Sequence, residues 1–448
     1  MQDNSRMDKH EDSFDERLNR ETRPPDGQRL VLHSLRFAEV IELEDYDRLE
    51  EGLNRLYDET LNYNNVLASP SEQEGYREFI ANSKRAFLSR RWANLQGFVS
   101  KSFADVHRDG IILKPVRELP EGVTSLSFLL CQVLPSMVVV VTRVSYDESI
   151  SDRLNTIFME YCKERIEKHE QRTLHIPLDR VKAEKIQEFL SNLQTTSELF
   201  ISTYFKGAFL SARREGVRYK CPSIKLYSLQ DIPFQPISSL TNWIVNRRHF
   251  IDVLGYGAVP SWMYQFDNNY LLLRRYSFER EEKPMTLSLL TSESLFAADE
   301  AHEGYRAAAG AIEHKHEIEF DNLLPLVAFH HLLHLYSQGL LDYRNKLHSY
   351  CINPDARLNT LRKQYSAIYN AKVAINNDYF DFIKLSRELE EVTSAEAETL
   401  LYRDTTKFEM LENPKRIHFA KETVSAIRFL SSMINKTYSL LNERYSDL

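Results

Sequence analysis

The titratable side chains most able to do chemistry are histidines, and they concentrate between His314 and His348. His330 and His334 are one helical turn apart and His314 and His316 lie upstream, so four imidazoles could meet at a transition metal. No carboxylate or cysteine completes a ligand spacing, and His331 and His334 sit in an apolar stretch where a histidine ordinarily satisfies backbone carbonyls. A second pair is Arg344 and His348, with Asn, Lys and Leu between them. Read from residue type and position alone, the two are an exposed cationic pair near a helix C-terminus, where the macrodipole favours it. Glu388, Glu390, Glu391, Glu396 and Glu398 read as a solvated helix face, with a weak capacity for hard divalent cations such as magnesium between subunits.

Several chemistries are excluded by what is missing. The sequence has no GxxxxGK[ST] phosphate loop, GxGxxG dinucleotide turn, GxSxG nucleophile elbow or HExxH zinc helix. With 13 glycines in 448 residues, few places allow backbone to wrap a phosphate. The cysteines, Cys131, Cys162, Cys221 and Cys351, form no CxxC pair and read as reduced core residues. A net charge of −8 and a pI near 6.0 argue against a broad nucleic-acid surface. The local basic clusters, Arg213–Arg214 with Arg218 and Lys220, and Arg247–Arg248, read as solvated faces. The N-terminal residues lack a charged n-region followed by an apolar run, so a cytoplasmic location is expected. Two uncharged stretches, Gly122–Thr142 and Leu323–Leu341, read as core. Gln132 and Pro135 interrupt the first, and His330, His331, His334 and Gln338 interrupt the second.

The elements that must carry these residues divide the chain. Residues 1–28 are polar, include Pro24–Pro25 and predict a disordered tail. Residues 29–290 predict an α+β or α/β domain with a mixed sheet. Its strand candidates are Leu30–Phe37, Gly110–Pro115, Leu126–Val133, Val138–Val141 and Asn269–Tyr276; its helices are Asp45–Tyr63, Ser151–His169 and Leu178–Leu210. Strand signals fade after Pro284, and residues 291–448 predict an all-α helical bundle or stalk, with boundaries near Pro325, Gly339, Asn353–Pro354 and Asn413–Pro414. The last helix carries an apolar seam: Ile417, Ala420, Val424, Ile427, Ser431, Ile434, Tyr438, Leu441 and Tyr445 recur at intervals of three and four residues. Ser431 is its polar exception. Such a seam faces a partner, either within the chain or in another copy.

On that seam, Leu430-Ser-Ser-Met-Ile-Asn-Lys-Thr437 resembles the membrane-proximal end of the stalk helix in CorA-type magnesium channels. The order of regions, α/β domain, then helices, then a final long helix, is similar to that family's cytoplasmic part. The resemblance implies a homo-oligomer whose subunit packing responds to a divalent cation, Mg2+, or to a small-molecule or nucleotide signal, at the inner face of a membrane. Where the family continues into two membrane helices with a Gly-Met-Asn motif, this sequence ends at Leu448, so the resemblance implies a sensory and assembly role rather than conduction, as in relatives adapted as regulated membrane effectors in defence. Arg344 and His348 separately resemble the Arg-plus-polar-plus-His signature of HEPN-type ribonucleases, with a shorter spacing than that family has. A soluble helical ribonuclease is therefore an alternative expectation, and a non-enzymatic interaction module is another.

Overall fold

The computed structural model of the chain describes residues 14–61, 71–84, 91–106, 114–134, 137–169, 172–211, 213–214, 217–218, 220–234, 236–256, 262–266, 270–275, 286–297, 312, 323–335, 400–402, 415–416 and 419–446. The elements are α1 (Phe14–Glu21), β1 (Val31–Glu42), α2 (Tyr46–Asp58), α3 (Ser71–Ser83), β2 (Arg91–Ser100), α4 (Lys101–Val106), β3 (Val116–Arg117), β4 (Val123–Leu134), β5 (Met137–Tyr146), α5 (Glu148–Met159), β6 (Arg165–His169), β7 (Arg172–Ile176), α6 (Leu178–Ser202) and α7 (Ala208–Ser211). They continue with β8 (Arg213–Arg214), β9 (Val217–Arg218), β10 (Ser223–Leu229), α8 (Ile237–Asn246), α9 (Arg248–Ile251), β11 (Trp262–Phe266), β12 (Tyr270–Arg275), β13 (Thr286–Ser292) and α10 (Ser294–Ala297). Helix α11 (323–335), β14 (Leu400–Tyr402), β15 (Lys415–Arg416) and α12 (Phe419–Ser446) follow.

The chain is an α+β protein whose described residues build one mixed sheet of 11 strands in the order β15-β14-β11-β12-β13-β10-β1-β5-β4-β2-β3. Next to the central strand β10 lies β1, which is buried at all but its end residues instead of alternating, because both sides of the sheet are covered there. The β-branched run of β5 pairs antiparallel with β1, from Ser34 opposite Ser145 to Glu42 opposite Met137, and with β4 on its other side. β10 joins the other edge of β1 antiparallel and pairs in parallel with β13, which requires the long crossover through α8 and α9. Alternate residues of β10 and β13 enter two apolar clusters. Ile224, Leu226, Leu287 and Leu289 belong to the larger one, and Tyr227, Leu229 and Leu290 to one formed with α5, α6, α8 and α9.

The helices follow their apolar periodicity. α2 buries Tyr46, Leu49, Leu53 and Leu56 on one face, and Gly52 lets it approach the turn after α6 so closely that a Cβ there would lie 2.3 Å from the Tyr204 carbonyl oxygen. α5 begins at Asp147, whose carboxylate accepts from the Ile150 N–H at 3.3 Å, and ends at Met159, ten residues before the expected His169. The polar segment after it, Arg165–Ile176, folds instead as the β6–β7 hairpin. α6 stops at Ser202, and the remainder of the expected helix up to Leu210 is a turn followed by α7.

Two larger expectations are corrected. Residues 14–28 are not a disordered tail: α1 docks on α6 with Leu18, Asn19 and Thr22 buried. The docking is polar, which is why hydropathy misses it. The Asn19 side chain pairs with both main-chain groups of Cys162 at 2.9 Å, and the fully buried Lys182 ammonium donates to Thr22 Oγ1 at 3.0 Å and to the Phe158 carbonyl at 2.9 Å. Residues 291–448 are not all-α either: β14 and β15 extend the sheet beyond β11, and Ile427 and Ile434 of α12 and Leu323–Leu333 of α11 share the larger core with β1, β4 and β5. Among the described residues, no helix is long and apolar enough to cross a membrane.

Candidate functional site

The final helix has two apolar faces. Thr423, Ile427, Ser431 and Ile434 are buried, and Ile427 and Ile434 lie in the larger core, with Leu430 packed beside them. At about 100° per residue these positions fall on one side of α12. Phe429, Met433 and Leu440 are 64%, 44% and 54% exposed, and the same helical geometry places them about 200° to 240° from Ile427, on the opposite side. The seam read from the sequence thus includes three described side chains, Ile427, Ser431 and Ile434, all turned into the protein's own core. Ala420, Val424, Tyr438, Leu441 and Tyr445 fall within the helix, but their side chains lie outside the described residues, as does Ile417 altogether. The outer stripe was not singled out because the seam used the strongest three-and-four spacing. It is legible as Phe429, Met433 and Leu440 at spacings of four and seven.

Among the described histidines of α11, His331 is buried, and its ring lies 5.2 Å from that of Phe209 in α7. Burial, reinforced by the neighbouring His334 and His330, pushes its pKa down to about 3, so it is neutral at physiological pH. His330 and His334 are half-buried on α11. His314, His316, Arg344, His348 and the glutamates Glu388–Glu398 lie outside the described residues, and among the described residues no group of three or more His, Cys, Asp or Glu could hold a metal ion. Cys131, Cys162 and Cys221 are buried free thiols, and Cys351 lies outside the described set.

Two buried ionic centres carry no sequence motif. In the middle of β1, Glu39 is 1% exposed. Its carboxylate accepts from the backbone N–H groups of Val40 at 2.9 Å, Phe209 at 2.8 Å and Leu210 at 2.7 Å, which ties α7 to the sheet. Burial pushes its pKa up to about 7 against the opposing pull of these bonds and of the Gly207 N–H. Beside it, the Cys221 thiol lies 4.0 Å from Oε2, and the Cys221 N–H donates to the buried Glu198 of α6 at 2.9 Å. Gln194 bridges Glu198, the Cys221 carbonyl and Ser223 at 2.8, 2.8 and 3.0 Å. The only trace of this centre in the sequence is a lone carboxylate inside an apolar strand.

The second centre is Arg117 on the edge strand β3, 5% exposed and set among Phe98, Phe200 and Tyr204, with its guanidinium 5.8, 5.6 and 5.0 Å from the three ring centroids. It donates to the Leu56 carbonyl at the end of α2, to Tyr204 and, at 2.8 Å, to Glu59. Arg55 lies over the same Tyr204 ring at 5.2 Å and donates to the Thr203 carbonyl. The two guanidiniums therefore face two helix C-termini and one carboxylate, a balance of charge that fastens α2, α6 and the sheet edge together.

Comparison with protein-family models, with curated proteins and with solved structures finds no match to any of the three.

Proposed function

We propose that this chain is a sensory and assembly module of the CorA-like kind, in which copies pack through the outer face of α12 and a bound ligand alters that packing. The observation that supports this reading is the two-faced final helix. Among the described seam residues, Ile427, Ser431 and Ile434 are buried in the chain itself, while Phe429, Met433 and Leu440 leave an apolar stripe open on the far side. A helix that only completed its own core would gain nothing from that stripe. In this reading magnesium, or a small-molecule or nucleotide signal, binds where copies meet, and α12 carries the resulting change in packing towards a membrane-embedded part.

Oxidative cross-linking tests the interface directly. In a Cys351→Ser background, Met433→Cys is expected to form a disulfide between copies in high yield, with a yield that changes when magnesium is added. The exposed Glu121→Cys, far along the chain at the start of β4, serves as the control. Equal yields at the two positions, or none at Met433→Cys, would remove the stripe as the contact.

A further inference from the structure

We propose that Glu39 is a proton-operated clamp: gain or loss of one proton at its buried carboxyl sets how tightly the segment 207–211 is held on strand β1. The idea stands on geometry and is independent of whether copies of the chain associate. The segment follows α6 in the chain and packs against β1. Its only short helix, α7, begins at Glu39, with the Phe209 N–H on Oε1 and the Leu210 N–H on Oε2. The approach is as close as the backbone permits, since a Cβ at Gly207 would lie 2.1 Å from the Val40 carbonyl oxygen. Phe209 in turn supports His331 of α11, so release of the segment would loosen a helix of the larger core as well.

The groups around the carboxyl leave its charge uncompensated. On β1, Arg36 is a near neighbour in sequence, but strand residues three apart point to opposite faces. From the start of β10 comes the Cys221 thiol; from α6, Glu198, which is occupied with the Cys221 N–H; from the loop before α7, the exposed Lys206; and from α11, His331, kept neutral behind Phe209. Among the described residues no cation forms an ion pair with Glu39. Dipoles of backbone N–H groups alone favour the charged form, and full burial opposes it more strongly.

The sign of the effect follows from linkage. With the segment docked the carboxyl titrates near 7; released into water it returns to about 4.5. The docked form therefore binds the proton more tightly, holds best below pH 4.5 and weakens as pH rises to about 7, beyond which the effect is complete. Opening of the segment should increase about tenfold per pH unit across that window, about 300-fold in total.

Amide hydrogen exchange of the intact chain reads this out, after correction for the intrinsic pH dependence of exchange. Protection of Phe209 and Leu210 is expected to fall as pH rises from 4.5 to 7, while protection of Val141 in β5 stays level, and Glu39→Gln is expected to abolish the pH dependence at 209 and 210. Level protection at those two amides, or a fall shared equally by Val141, overturns the clamp. Should Glu39→Gln fail to fold, carbon-13 NMR of the Glu39 carboxyl in the wild-type chain decides, and titration at an ordinary carboxylate pH overturns it.

Discussion

Arg117, Glu39 and His331 show how single charged or titratable side chains hold this protein together from buried positions. Burial of His331 makes stability depend on pH. Its pKa is lowered from 6.5 to about 3, and that of His33, buried against Ser228 Oγ at 2.7 Å, to about 4, both through burial. A group depressed in this way contributes stability that is present above 6.5 and lost as pH falls through the folded value. The wild-type chain should therefore lose stability in acid, by about 4 kcal/mol from His331 alone between pH 6.5 and 3. Chemical denaturation of His331→Leu should show a flatter acid limb, and an acid limb identical to wild type would contradict the assignment. Of the three, His331 is legible in the sequence as a histidine within an apolar stretch and is buried as that implies, whereas Glu39 and Arg117 carry no such signal. A periodic pattern reveals which face of a helix is buried, but an isolated Glu in Phe37-Ala-Glu-Val-Ile41 or an isolated Arg after Pro115 has no spacing to betray its partners, which lie about 60 to 170 residues away in sequence.

Among the elements, those with strong local periodicity were legible. The Leu and Tyr stripe of α2, the valine run of β5 with β4 before it, and the long terminal helix all lie close to where the pattern puts them. Elements fixed by polar or distant contacts were not. β6 and β7 are a polar, exposed pair with no core-facing alternation; β14 is a short strand that exists by pairing with β11 more than 130 residues earlier, and β15 pairs only with β14. α1 is the clearest case, since its anchor is an asparagine. Asn19→Ala leaves both main-chain groups of Cys162 without their partner, which should destabilise the chain by about 2 kcal/mol. Denaturation midpoints measure the loss, and limited proteolysis near Arg23 should be faster in the variant; unchanged stability and cleavage would show that Leu18 and Lys182 suffice.

At the scale of the whole molecule, the boundary near residue 290 expected from composition does not separate two cores. β13 ends at Ser292, and both α11 and α12 place residues in the cluster that contains Phe37, Leu130 and Val140. A fragment spanning residues 1–290 is therefore expected to lack cooperative thermal unfolding and to expose apolar surface to a dye such as ANS. A sharp unfolding transition for that fragment would restore the two-domain reading. The same merging of helices with sheet gives the assembly proposal its form, because a helix fixed by its inner face in the core presents its outer face rigidly. The most direct measurement is the mass of the intact chain in solution by sedimentation, with and without magnesium. Wild type is expected at a multiple of 52.5 kDa, and the double variant Phe429→Asp, Met433→Asp at 52.5 kDa. A wild-type chain that stays at 52.5 kDa at high concentration in both conditions would contradict assembly through α12.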